Sequence, residues 1–166
     1  MRLNTFKKIL AVLNEADVRY LVAGGLAVVA HGYGRLTFDM DLMIELTPEN
    51  IKRTFDALGQ LGYRPRVPIT ADQFADEKLR ERWIRDKGMM VLNLFSDSFV
   101  RTPVDLFVRI PFDFQKAYNS ALLEMLDDVI CRFVDIDTLI AMKEQAGRES
   151  DLDDVRHLRM LKNEEE

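Results

Sequence analysis

The residues best suited to chemistry in this chain are two aspartates one residue apart, Asp39 and Asp41, inside an apolar run from Leu36 to Ile44. At a period of two, Thr37, Asp39 and Asp41 fall on one face of a strand, and Phe38, Met40, Leu42 and Ile44 on the other. Alternate carboxylates on a strand stand about 6.6 Å apart, close enough to lean onto a shared cation. Without a cation they repel and one pKa rises. The plain alternative is a solvated strand face. Against it, aspartate is a poor strand former, and two sit in an otherwise apolar strand. Upstream, Tyr20–Ala23 has the composition of a short buried strand, Gly24-Gly25 ends it, Leu26–His31 suits a helix, and Gly32-Tyr33-Gly34 stops that helix. A two-glycine bend before a helix leaves backbone N–H groups free to hold a phosphate. Further on, Asp105 is a lone carboxylate near the start of the apolar strand Val104–Ile110.

The order strand, Gly-Gly, short helix, Arg35-x-Thr37-x-Asp39-x-Asp41 resembles the nucleotidyltransferase superfamily related to DNA polymerase beta, and within it the branch of minimal nucleotidyltransferases and AbiEii-type toxins. The resemblance implies a nucleotidyltransferase fold and Mg²⁺-dependent transfer of a nucleoside monophosphate from an NTP to an acceptor. It implies that Asp39, Asp41 and Asp105 hold metal, two ions being expected, and that Asp105 completes the site from a neighbouring strand. Gly24, Gly25, Arg35 and Thr37 become nucleotide-binding candidates. A second match lies in Leu139–Asp154. Lys143 stands where a lysine near the triphosphate is expected, and Arg148-x-x-Asp151-x-x-Asp154 resembles a helical element of the same branch. Lys143 and Arg148 would offset phosphate charge. Asp151 and Asp154, one helical turn apart, would orient those cations or the acceptor. The plain reading of this stretch is acidic residues favoured at a helix start beside a surface lysine and arginine.

At 166 residues the chain fits a single domain, with a sheet core over 1–111 and a helical C-terminal part over 112–166. No apolar run approaches the roughly 18 residues of a membrane span, and no signal peptide follows the basic start. Cys131 is the only cysteine, so an internal disulfide is impossible and a cytoplasmic setting is expected. The net charge of −5 argues against broad binding of nucleic acid through lysine and arginine, though not against a local basic patch. The two histidines, His31 and His157, suit surface or capping roles, and no Cys/His cluster suggests zinc.

Helices are expected over Asn4–Ala16 with Asn4 as N-cap, from Thr47 to Gly62, over turns of Ala71–Ile84, over Phe114–Leu126, and from Asp135 or Asp137 to Gly147. A last helix opens at Ser150 and turns Leu152, Val155, Leu158 and Leu161 inward. Further strands are expected at the Pro-flanked edge Tyr63–Val67, at Met89–Phe95 and at Val129–Val134. The basic stretch 78–87 reads either as a solvated helix face or as a contact for triphosphate or an acidic acceptor. The fold class is therefore α/β (α+β), a short mixed sheet flanked by helices. The acceptor stays open among RNA, protein and a small molecule. An antitoxin partner and a homodimer are compatible with the resemblance. An antibiotic-modifying enzyme and a non-catalytic module of the same fold are the competing classes, the former disfavoured by the short chain.

Overall fold

The apolar runs line up as one seven-stranded mixed sheet in the computed structural model of the chain, which describes residues 3–37 and 39–165. Its strands are β1 (Tyr20–Ala23), β2 (Met40–Ile44), β3 (Arg64–Pro65), β4 (Val91–Phe95), β5 (Val104–Phe107), β6 (Leu122–Leu126) and β7 (Val129–Phe133), in the order β3-β4-β5-β2-β1-β7-β6. The centre is β5-β2-β1, with β2 parallel to β5 and antiparallel to β1. β3, whose second residue is Pro65, lies at one edge, where a missing N–H costs least.

The helices are α1 (Leu3–Glu15), α2 (Gly24–Ala30), α3 (Pro48–Gly59), α4 (Ala71–Ala75), α5 (Glu77–Lys87), α6 (Phe114–Asn119), α7 (Ile136–Ala146) and α8 (Glu149–Glu165). A helix as short as α1 is marginal alone. It is held by its buried stripe of Phe6, Ile9, Leu10 and Leu13, where each fully buried side chain contributes about 1.5–3 kcal/mol. This stripe packs toward α3 and β7. On the other side, α7 packs against α2 and α8 and roofs the sheet face that carries Asp41 and Asp105.

Four expectations change. The strand expected over 36–44 begins only at Met40, whose N–H donates to the Pro103 carbonyl at 3.0 Å. The reason lies in β1: Ala23 pairs with Asp41, and the chain then leaves the sheet at Gly24, so earlier residues have no partner on that side. Leu36 is accordingly 80% exposed, and Phe38 lies outside the described residues, as do Met1, Arg2 and Glu166. The helix expected over 114–126 stops at Asn119, and Leu122–Leu126 is instead the edge strand of a hairpin with β7. A two-residue loop, Asp127-Asp128, joins the two strands, with Asp127 in the left-handed region (φ 56°). Two adjacent aspartates were the turn signal, masked by helix-compatible residues around them. Asn4 lies inside the first turn of α1 rather than capping it. Finally, α8 starts at Glu149, and it turns Asp151 and Asp154 inward with Val155 and Leu158, leaving Leu152 exposed.

Thr47 caps α3 as expected, accepting from the Asn50 N–H. Asn50 itself does not close a capping box. Its buried amide accepts from the Arg19 N–H (2.8 Å) and donates to the carbonyls of Arg19 (3.0 Å) and Glu45 (2.9 Å). It thereby ties the start of β1 to the end of β2. Asn50→Ala would strand these backbone groups, and urea denaturation is expected to show a loss of about 3 kcal/mol; a loss under 1 kcal/mol would show that water replaces the amide.

Candidate active site

The parallel pairing of β2 with β5 sets Asp41 directly opposite Asp105, so the two carboxylates stand on one face of neighbouring strands. Asp39, just before β2, is exposed and lines the same cleft. The glycine pair makes this arrangement sterically possible. A Cβ on Gly24 would sit 1.9 Å from Asp41 Oδ2, and the residue has φ +62°, a conformation that suits glycine. A Cβ on Gly25 would sit 2.6 Å from Thr37 Oγ1 and 3.1 Å from an Arg35 guanidinium nitrogen. The bend therefore lets backbone touch Asp41, Thr37 and Arg35 together. Both glycines fall in the first turn of α2, whose N-cap, Ala23, offers no side chain to its N–H groups.

Burial raises the Asp41 carboxyl to about 6; the charges of Asp105 and Asp39 push the same way, and Lys143 and Arg148 partly offset them. Asp105 is also raised, first by burial and then by Asp39, against a lowering hydrogen bond from Asn93 and the charge of Arg66. The Asn93 amide donates to Asp105 Oδ1 at 2.6 Å, and the Arg66 guanidinium donates to the Asn93 oxygen. A three-residue chain across β3's end, β4 and β5 thus fixes one carboxylate. Neither Asn93 nor Arg66 was singled out from sequence. The available signal was Asn93 itself, a polar residue inside the apolar run Met89–Phe95.

The C-terminal residues form an ion network over the same cleft. Lys143, on α7, reaches Asp154 at 2.9 Å and Asp151 at 3.3 Å. Arg148 reaches Asp151 at 2.7 Å, and Arg35 reaches Asp154 at 3.1 Å. Both carboxylates are only 2% exposed at the side chain, whereas that of Arg148 is 75% exposed. Burial alone would raise Asp151, but Arg148 and Lys143 outweigh it and hold its pKa low. Asp151 also accepts from the Arg148 backbone N–H, bonding back to the start of α8. Three cations face two carboxylates, which leaves positive charge beside Asp41.

The cleft has a volume of about 730 Å³. Gly24, Gly25, Arg35, Thr37, Asp39, Asp41, Asp105, Lys143, Arg148 and Asp151 all line it, and Asp154 stands behind Lys143 and Arg35. Its apolar walls, among them Phe107 and Met142, were not anticipated. The basic stretch 78–87 stays outside: Arg80 turns inward and donates to the Phe74 carbonyl, while Arg82, Arg85 and Lys87 lie on an exposed helix face. The histidines also stay out of the cleft. His157 stacks on Tyr33 at 3.9 Å, and the Tyr33 hydroxyl donates to Asp153, latching the loop that carries Arg35 and Thr37 to α8.

Among the described residues, no three Asp, Glu, His or Cys side chains stand so that together they could hold a metal ion. Magnesium does not need three, since it keeps several waters and takes one or two carboxylates plus substrate phosphates. The donor set fits such an open site: oxygen ligands only, on paired strands, with mutual repulsion that a cation would relieve.

No family model matches the sequence, and no curated protein does. The fold does have relatives among solved structures. The lincomycin-bound lincosamide antibiotic adenylyltransferase LnuA superposes with a TM-score of 0.63 at 14% identity, over 97% of this chain and 98% of that one. The Thermotoga maritima protein TM1012, named as a candidate nucleotidyltransferase, gives 0.59 at 15% identity, over 98% and 92%. The antibiotic-resistance factor ANT(2'')-Ia gives 0.58 at 14%, over 93% and 80%. The chain has the nucleotidyltransferase fold.

The raised pKa of Asp41 has a sign that can be checked. Its folded value exceeds its unfolded one, so the folded state loses stability as pH rises from about 4 to about 6 and stays lower above. In metal-free buffer, Asp41→Asn is expected to be more stable than wild type at neutral pH by roughly 1–3 kcal/mol. The gain should vanish near pH 4, as read by urea denaturation across that range. Gly24→Ala acts the opposite way, forcing the carboxylate aside at every pH and lowering stability by about 1–3 kcal/mol.

Proposed function

We propose that this chain, working as a single domain, transfers a nucleoside monophosphate from an NTP to an acceptor hydroxyl. The observation that carries this reading is the pairing of Asp41 with Asp105 against the Gly24 backbone, across one cleft from Lys143 and Arg148. The backbone at Gly24-Gly25 approaches the phosphates, and Arg35, Lys143 and Arg148 hold their charge. Bound magnesium would supply charge neutralisation at the transferring phosphorus and would be held by Asp41 and Asp105 with Asp39. The acceptor oxygen bonds to the α-phosphorus, the bond to the β-phosphate oxygen breaks, and pyrophosphate leaves. Asp105, held by the Asn93 amide, takes the acceptor's proton. Asn93 and Arg66 aim Asp105, and Asp151 and Asp154 aim the cations.

The length of LnuA bears on the acceptor. The expectation that so short a chain is ill suited to antibiotic modification loses its ground, because this chain spans 98% of a lincosamide adenylyltransferase. A small-molecule acceptor is therefore the favoured class.

Incubation with each labelled NTP, magnesium and a panel of small hydroxyl compounds is expected to move label onto acceptor with release of pyrophosphate. Asp41→Asn and Asp105→Asn should each reduce kcat by about 10³-fold or more. Label transferred equally by the double variant would remove the carboxylates from the reaction. Asn93→Ala should lower kcat or metal affinity about 10–100-fold while nucleotide affinity holds. A variant that lost nucleotide binding as well would mark Asn93 as structural support for the whole sheet edge.

A further inference from the structure

A second hollow, of about 340 Å³, adjoins the cleft and shares Met90, Phe107, Met142 and Ala146 with it. Its chemistry differs from that of the cleft. Met43 and Val108 are fully buried at its wall, Ile84 and Met89 come from the end of α5 and the turn after it, and the shared residues are apolar. Arg109, at an exposed position, is the only charged side chain among the described residues lining it. Four methionines in one hollow make a wall that can adapt to its occupant.

Its position follows from the same strand pair that sets the carboxylates. Met43 lies two residues after Asp41 on β2, and Phe107 two residues after Asp105 on β5. Residues two apart on a strand share a face and stand about 6.6 Å apart. One step along the paired strands therefore passes from charge to apolar surface. On α7, Lys143 joins the ion network, Gln145 borders the hollow, and Met142 lies between, lining both. Phosphate-holding groups gather at the glycine and Lys143 end, and the hollow opens beyond the carboxylates.

We propose that this hollow is the acceptor subsite, taking the apolar body of a small uncharged or anionic alcohol whose hydroxyl reaches Asp105. The assignment rests on the transferase reading above, and the bond changes are those already given: oxygen to α-phosphorus, proton to Asp105, pyrophosphate out. Methionine, phenylalanine and isoleucine walls favour hydrocarbon, and a lone arginine at the rim repels polyamines. A polycationic sugar would find no carboxylate in the hollow to bind.

The test uses the full chain, with 8-anilinonaphthalene-1-sulfonate as a fluorescent probe and 1-alkanols from hexanol to decanol as competitors. Saturable probe binding is expected, with alkanol affinity rising about fourfold per methylene. Gln145→Trp, which plugs the hollow from an exposed position, and Met89→Trp should each weaken both ligands at least tenfold. Arg109→Glu should weaken the probe and spare the alkanols. Alkanol affinities that do not grade with length, or probe binding unchanged in both tryptophan variants, would overturn the assignment. Calorimetry of a non-hydrolysable ATP analogue with magnesium, on the same samples, separates the two readings. Absent nucleotide binding in wild type overturns the transferase and the acceptor subsite together. Nucleotide binding that persists while alkanols fail to enter overturns the subsite alone. With nucleotide bound, alkanols that still enter and release pyrophosphate, with KM falling along the series, support both.

Discussion

The structure is organised around a repulsion. Asp41 and Asp105 stand directly opposite each other on paired strands, whose backbones run about 5 Å apart, so their like charges repel. A fold keeps such a pair only where positive charge offsets it. Here part of the offset is resident, from Lys143 and Arg148 acting on Asp41. Burial does most to raise the Asp41 pKa, and the charges of Asp105 and Asp39 add to it. Gly24 sharpens the repulsion, because its backbone lies against the carboxylate and restricts where that group can turn.

The C-terminal helices follow from the same demand. Burying Asp151 and Asp154 costs desolvation that pairing rarely returns in full, and an apolar α8 face would pack as well. What the buried pair does is hold cations. Each carboxylate bridges two of them, Asp151 between Lys143 and Arg148, Asp154 between Lys143 and Arg35. Those cations come from two distant parts of the chain, the loop before β2 and the end of α7. Long, flexible side chains pinned at one end cost less entropy when they meet a phosphate. The latch of Tyr33 against His157 and Asp153 serves the same end, fixing the loop on which Arg35 rides.

Local patterns were legible in the sequence where one residue type has one physical use. Asp39, Asp41 and the glycine pair announced themselves because acidic residues and glycines are costly in an apolar strand. Thr47-Pro48 gave its cap for the same reason. The seven-strand order was not legible, since it depends on which strand ends meet in space. Leu122–Leu126 reads equally as helix or strand, and only the left-handed Asp127 and the pairing with β7 decide it. The inward turn of Asp151 and Asp154 escaped a hydrophobic-periodicity reading, because their partners Lys143 and Arg35 lie elsewhere in the chain. Asn93 escaped for a like reason: its meaning is its cross-strand neighbour, Asp105. The resemblance to nucleotidyltransferases puts Asp105 and Lys143 together, which periodicity alone could not do, and both line one cleft.

The strand pair β2–β5 therefore carries two kinds of information on one face. The paired Asp41 and Asp105 are charged and ask for a cation; two residues further along each strand, Met43 and Phe107 are apolar and ask for hydrocarbon. A strand cannot change face without a bulge, so the two demands necessarily lie side by side, one step apart. An acceptor that satisfies both must carry its hydroxyl at the edge of an apolar body. Water is poorly matched to that geometry, because it fills the polar part and leaves the apolar one wet. Under the proposed transfer, the same strand pair would therefore favour an organic hydroxyl over water as the attacking group.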